Sequence, residues 1–127
     1  MNNDLFSRSD LGSLTSVKRA ELKETLGLTG SEVSFNNLPA GTAIPFVHSH
    51  KRNEEVYLFI RGKGEFWIDG TISPVREGST VRVSPAAKRC IRATEDLGYF
   101  CVQTDNGSLV QYTKTDGIIN DDKPEWK

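Results

Sequence analysis

The chain has 127 residues, with 16 basic and 17 acidic side chains and a formal charge of -1. That length suits one domain with its own core and is short for two. The charge is balanced and contains no basic block or acidic tail, which argues against nucleic acid as a partner and points to small molecules or protein. No window has the apolar length to span a bilayer, and the start MNNDLFSRSD lacks the basic flank and apolar core of a signal peptide. A cytoplasmic location follows as an expectation, with no membrane partner. In that reducing setting Cys90 and Cys101 are expected as thiols, and Asn106-Gly107-Ser108 as a turn.

In chain order, residues 15–26 (TSVKRAELKETL) contain good helix formers and neither proline nor glycine. They predict a short helix capped by Thr15 or Ser16 and ended by Gly27 and Gly30. After Ser31 the pattern changes to short β-rich segments: EVSFNNL, TAIPFVHSH, EVYLFIRG, GEFWIDG, TISPV, STVRVS, RCIRAT and GYFCVQT. Such spacing indicates an all-β sandwich or barrel and excludes a βαβ fold. Asp69-Gly70 is a hairpin turn, with further reversals at Glu77-Gly78 and Ser84-Pro85. The chain therefore divides into an N-terminal segment with a short helix (1–30), a β-barrel (31–112) and a polar C-terminal tail (113–127). Trp126 in that tail is expected to dock on the barrel or on a second subunit.

The segment HSHKRNEEVYLFIRGKG holds both histidines of the chain. In an extended strand His48 and His50 share a face, with their imidazoles close enough to hold one cation. Alone, His-x-His is a weak signal, because surface histidines fall at that spacing by chance. Lys51 to Asn53 read as a turn that resets strand parity, so Glu54 or Glu55 can return to the histidine face. Two imidazoles and one carboxylate leave coordination positions open and suit a divalent Fe, Mn, Ni or Zn ion.

Those residues resemble the first motif of the cupin superfamily: a glycine, His-x-His, a glutamate and, six residues on, another glycine. Gly41, His48, His50, Glu55 and Gly62 fit it, with one residue more than usual between Gly41 and His48, and the gap to Gly62 selects Glu55. In the second motif, GSTVRVSPAAKRC, Gly78 and Pro85 fit, Ala87 replaces a glycine, and Cys90 stands where the last histidine ligand belongs. The resemblance implies a double-stranded β-helix, a jelly-roll cupin barrel with a metal site facing its interior. It makes Cys90 either a fourth, thiolate ligand or a small buried residue that fills space. Strand parity puts Tyr57 and Phe59 on the Glu55 face as pocket wall. Val56, Leu58 and Ile60 then face outward and need a cover: the helix, the tail or a second subunit, the homodimer that similar proteins form.

Lys88, Arg89 and Arg92 cluster around the second motif, where they either meet a carboxylate substrate at the pocket mouth or protect a strand edge. Arg92 and Gln103 complete the expected pocket lining. Two classes of function follow. One is a metal-dependent enzyme, of isomerase or dioxygenase type by the resemblance, acting on a small anionic metabolite. The other is a non-catalytic small-ligand binding or sensing module whose metal is structural or absent. No separate catalytic acid or base is identified, and no segment for DNA binding accompanies the barrel.

Overall fold

The computed structural model describes residues 5–111 and 113–126. In chain order its elements are β1 (Arg19–Glu21), α1 (Leu22–Leu26), β2 (Glu32–Leu38), β3 (Asn53–Arg61), β4 (Lys63–Ile68), β5 (Thr71–Arg76), β6 (Thr80–Val83), β7 (Arg89–Ala93), β8 (Leu97–Asp105) and α2 (Thr113–Asp116). The strands form two antiparallel sheets, one in the order β1-β2-β8-β3-β6 and the other β5-β4-β7. The all-β class and the short N-terminal helix are thus as the sequence implies.

Alternation along each strand builds the interior between the sheets. Tyr57 and Phe59 of β3, Leu97, Tyr99 and Cys101 of β8, and Val83 of β6 meet Phe66 of β4, Val75 of β5, and Ile91 and Ala93 of β7 in one buried cluster. The β4–β5 hairpin turns on Asp69-Gly70, both with positive φ (45° and 88°), the conformation that a tight two-residue hairpin requires. Gly62 is fixed by space as well as by its φ of 84°: a Cβ there would lie 1.8 Å from the Asp96 carbonyl oxygen. Any other residue would push β3 away from the start of β8.

Three elements differ from expectation. The helix over 15–26 shrinks to Leu22–Leu26, because Arg19–Glu21 pair with Ser34–Asn36 as an edge strand, and tertiary pairing overrides local propensity. Glu21, not Thr15 or Ser16, stands at its N-cap, and Gly27 ends it with a φ of 70°. The segment TAIPFVHSH is no continuous strand. It pairs with β7 as isolated bridges, Ala43↔Arg92 and His48↔Arg89, because Pro45 has no N–H to donate and interrupts the ladder. Finally, Trp126 is 83% exposed and does not dock on the sheets of its own chain.

On the outer face of β3, Leu58 and Ile60 remain 36% and 37% exposed, while α1 packs against β2. No helix among the described residues is long and apolar enough to cross a membrane. Tyr112, where the sequence reading ends the barrel, lies outside the described residues.

Candidate metal centre

His48, His50 and Glu55 converge at one end of the interior. One potential ligand atom from each lies within 4.8 Å of the others. Each is positioned by a different backbone device. The N–H and carbonyl of His48 pair with Arg89 on β7 (3.2 and 3.0 Å), and the His50 N–H donates to the Pro85 carbonyl (2.8 Å). Glu55 sits on the inner face of β3, paired with Val83 and Gln103 on either side. The bends at Lys51 and Arg52 bring it back to the histidines. Its partner Glu54 faces the other way and meets Arg82 at 2.8 Å, so the geometry agrees with the choice of Glu55 over Glu54.

Glu55 is 2% exposed, and a buried carboxylate needs partners. Its Oε1 accepts hydrogen bonds from the Tyr57 hydroxyl (2.5 Å) and from Arg89 Nη1 (2.6 Å). Its Oε2 faces His50 Nε2 at 3.1 Å, while His48 Nε2 lies 4.0 Å from Oε1. Burial alone would raise the Glu55 carboxyl. The donors Tyr57, Arg89 and the Cys101 thiol, with His50 beside them, more than offset that and hold it below its ordinary value. Burial lowers His48, opposed by Glu55 and helped by Arg89 and His50. Burial pushes the Tyr57 hydroxyl and the Cys101 thiol up, so both stay protonated as neighbours of the carboxylate. At neutral pH the group is therefore an ionised carboxylate with a neutral His48 imidazole, the protonation state that metal ligation needs.

Arg89, expected at the pocket mouth or a strand edge, instead organises this end of the molecule from within. It is 1% exposed. Beyond Glu55, its Nη2 donates to the carbonyls of Ser84 (2.7 Å), Pro85 (3.0 Å) and Ala87 (2.7 Å), and its Nε donates to Ala87 (3.1 Å). The Ser84–Ala87 turn is thus wrapped around one guanidinium. The same Pro85 carbonyl receives the His50 N–H, so Arg89 links the backbone of both histidines to the carboxylate. A fork of five donors serves this role where a lysine could not.

Of the two readings of Cys90, the geometry favours the packing one over the fourth ligand. Arg89, Ile91 and Ala93 are buried along β7, with Cys90 half-buried at the cavity lining and Arg92 exposed between them. The Cys90 thiol donates to the Ile44 carbonyl (3.3 Å) and lies outside the metal-ligand group. The parity signal was present in the sequence, because the apolar Ile91 fixes residue 89 on the inner face. The position expected for Arg92 needs correction: it pairs with Glu65 and lines a separate shallow hollow with Trp67 and Ile72. Phe59 points inward but is 2% exposed and packed in the apolar core, away from the cavity wall. Tyr57 and Gln103 do line the cavity, which has a volume of about 540 Å³. Sequence reasoning missed Lys18, Arg19, Ser34 and Asn36 on its walls, since no local motif joins β1 and β2 to the histidines.

The donor set fits a divalent ion of the Fe, Mn, Ni or Zn type. Two imidazoles and the Glu55 Oε2, which Tyr57 and Arg89 leave to His50, lie on one side, with the cavity on the other. His48 Nδ1 is buried and has no protein partner among the described residues, an unsatisfied nitrogen in keeping with a site built to take a further group. Cys101 and Cys90 are both free, and they sit in opposite sheets.

No family model matches the chain, and no curated protein does. Among solved structures, it is 43% identical to a cupin protein from Bacteroides fragilis, covering 94% of this chain and 99% of that one, with a TM-score of 0.85. The chain therefore belongs to the cupin superfamily. An RmlC-like cupin from Desulfovibrio desulfuricans superposes at a TM-score of 0.65 with 20% identity, over 77% of this chain and 97% of that one. A salicylate 1,2-dioxygenase from Pseudoaminobacter salicylatoxidans superposes at 0.55 with 17% identity, over 59% of this chain and only 21% of the dioxygenase. These two likenesses carry the fold alone.

Proposed function

We propose that the chain is a metal-binding cupin whose cavity holds a small anionic organic molecule beside a divalent ion on His48, His50 and Glu55, and that it acts on that molecule. The observation that carries this reading is the convergence of the three donor atoms within 4.8 Å at the wall of a cavity of about 540 Å³, a size that suits small-molecule sites. A bound ion supplies Lewis acidity to a substrate oxygen or, as iron, access to oxygen chemistry; isomerase and dioxygenase types both accord with that. The chain's own residues have definite parts. Arg89 and Tyr57 occupy Glu55 Oε1 and leave Oε2 as the ligating oxygen. The apolar walls, Ile44 and Ile91 among them, exclude water.

A second reading, a non-catalytic binding or sensing module, is favoured by one observation. Glu55 is the single carboxylate lining the cavity among the described residues, so no general base stands free of the ligand set. Turnover of a bound acid by the metal-loaded protein separates the two readings.

Elemental analysis of protein purified without a metal-chelating tag tests the site. About one ion per chain is expected for the native protein, and loss of it in His48→Ala and Glu55→Ala, with Cys90→Ser unchanged. Equal metal content in native protein, His48→Ala and Glu55→Ala removes the assignment.

A further inference from the structure

The cavity carries more positive charge than its metal-binding end uses. Lys18, Arg19 and Arg89 line it against the one carboxylate of Glu55. Arg89 offers nothing to a ligand, because its three nitrogens are all committed to Glu55 and to the turn carbonyls. Arg92 is outside, paired with Glu65, and Lys88 is not part of the lining. The unspent charge is therefore contributed by the strand β1 and the residue before it.

Arg19 stands at the cavity mouth with its side chain 56% exposed, tied to its neighbours at two of its three nitrogens. It stands opposite Asn36 in the β1–β2 ladder. Its Nη1 donates to the Asn36 side chain, whose amide donates in turn to Ser34 Oγ at 3.1 Å. Its Nε meets Glu21 at 3.1 Å. That leaves Nη2 without a bond among the described residues. The Lys18 ammonium has no side-chain partner among them either. Tyr99 adds a third donor. It lines the cavity and is 4% exposed, yet its hydroxyl makes no hydrogen bond among the described residues. Burial keeps that hydroxyl protonated, although the charge of Arg19 acts against this. The hydroxyl is open to the cavity, where a ligand can accept from it, and a carboxylate oxygen accepts from a hydroxyl and a guanidinium alike.

We infer that Arg19, with Lys18 and Tyr99, is the carboxylate-binding end of the cavity, so that the ligand is a small organic acid lying with its carboxylate at β1 and its other, oxygen-bearing end toward His48, His50 and Glu55. The apolar stretch between, with Leu38 and Ile91, takes the hydrocarbon body. This assignment rests on the metal-cavity reading for the orientation of the ligand. The selection of an acid rests on Arg19, Lys18 and Tyr99.

The test titrates 4-hydroxybenzoate and its neutral isostere 4-hydroxybenzamide into zinc-loaded and chelator-treated protein. The native protein is expected to prefer the acid at least tenfold. Arg19→Met should bring the ratio close to one at unchanged metal content and unchanged thermal midpoint, Arg19→Lys should restore part of it, and Tyr99→Phe should reduce it about threefold. The inference is overturned if the native protein shows no preference for the acid, including no binding of either probe, or if Arg19→Met keeps the full preference. The metal-site reading fails separately: a native protein that takes up no more zinc than His48→Ala would refute that reading, while the acid-to-amide ratio in chelator-treated protein still decides the role of Arg19.

Discussion

The two ends of the interior are made by the same strands and differ in what those strands present. Along β3 the inward residues run Glu55, Tyr57, Phe59; along β7 they run Arg89, Ile91, Ala93; along β8, read from its far end, Gln103, Cys101, Tyr99, Leu97. Each line passes from polar to apolar in the same direction. The apolar end is filled by aromatic rings: Phe66 meets Tyr57 edge-on at 4.8 Å and Phe59 at 6.2 Å. The polar end is left open as a cavity and tied by hydrogen bonds to one buried cation. The lesson is that one end holds the sheets together so that the other can afford a charged, unfilled space.

This contrast can be broken from either side. Phe66 is fully buried, and Phe66→Ala should cost about 3–5 kcal/mol by leaving a cavity at the packed end. Urea unfolding with an unchanged slope would show that; a loss under about 1 kcal/mol would mean the packed end is not the anchor. Arg89→Met should come close, about 3–5 kcal/mol, because it strands the buried Glu55 carboxylate and frees the turn carbonyls. A double-mutant cycle with Glu55→Gln should show coupling above about 1 kcal/mol if the two act as one unit.

Acid should sharpen the comparison, since the titrating groups sit at the polar end. The folded values of Glu55 and His48 lie below 4.5 and 6.5, their ordinary values. In both cases the unfolded chain binds the proton first, so stability present above the ordinary value is lost as the pH falls through it toward the folded value. Chelator-treated protein should lose stability first below pH 6.5 and further below 4.5. His48→Ala should abolish the first stage, as read from urea midpoints across that range. The smallest effect belongs outside: Arg92→Met removes an exposed pair with Glu65 and should cost less than about 1 kcal/mol. A larger loss would show that the outer face of β7 contributes as much as its inner one.

Much of this was legible in the sequence where a residue's neighbours along the chain decide its place. The alternation of EVYLFIRG gave β3 its inner and outer faces, and the glycine of Asp69-Gly70 marked its hairpin. His48, His50 and Glu55 lie within eight residues, so spacing offers the two histidines with Glu54 or Glu55, and the resemblance to the cupin motif selects Glu55. What escaped depends on partners far along the chain. Residues 19–21 have good helical propensity, but β2 offers them backbone bonds, and nothing local announces that. Arg89 is placed by the sequence at a pocket mouth or a strand edge, not in the interior, because arginine is seldom buried; its burial depends on Glu55, 34 positions away, and on a turn closing around it. The family motif drew attention to Cys90, one residue off, although the apolar Ile91 already argued for the other parity. Lys18 and Arg19 reach the cavity only because β1 joins the sheet that carries Glu55.

The unequal burial of the two thiols has a practical corollary. Cys101 is buried against Glu55, whereas Cys90 is half-buried in the strand between the cavity and the outer hollow, across the β4–β7 ladder from Trp67. A thiol-reactive dye should therefore mark a single address, with an indole beside it as a built-in optical reporter of events in the cavity.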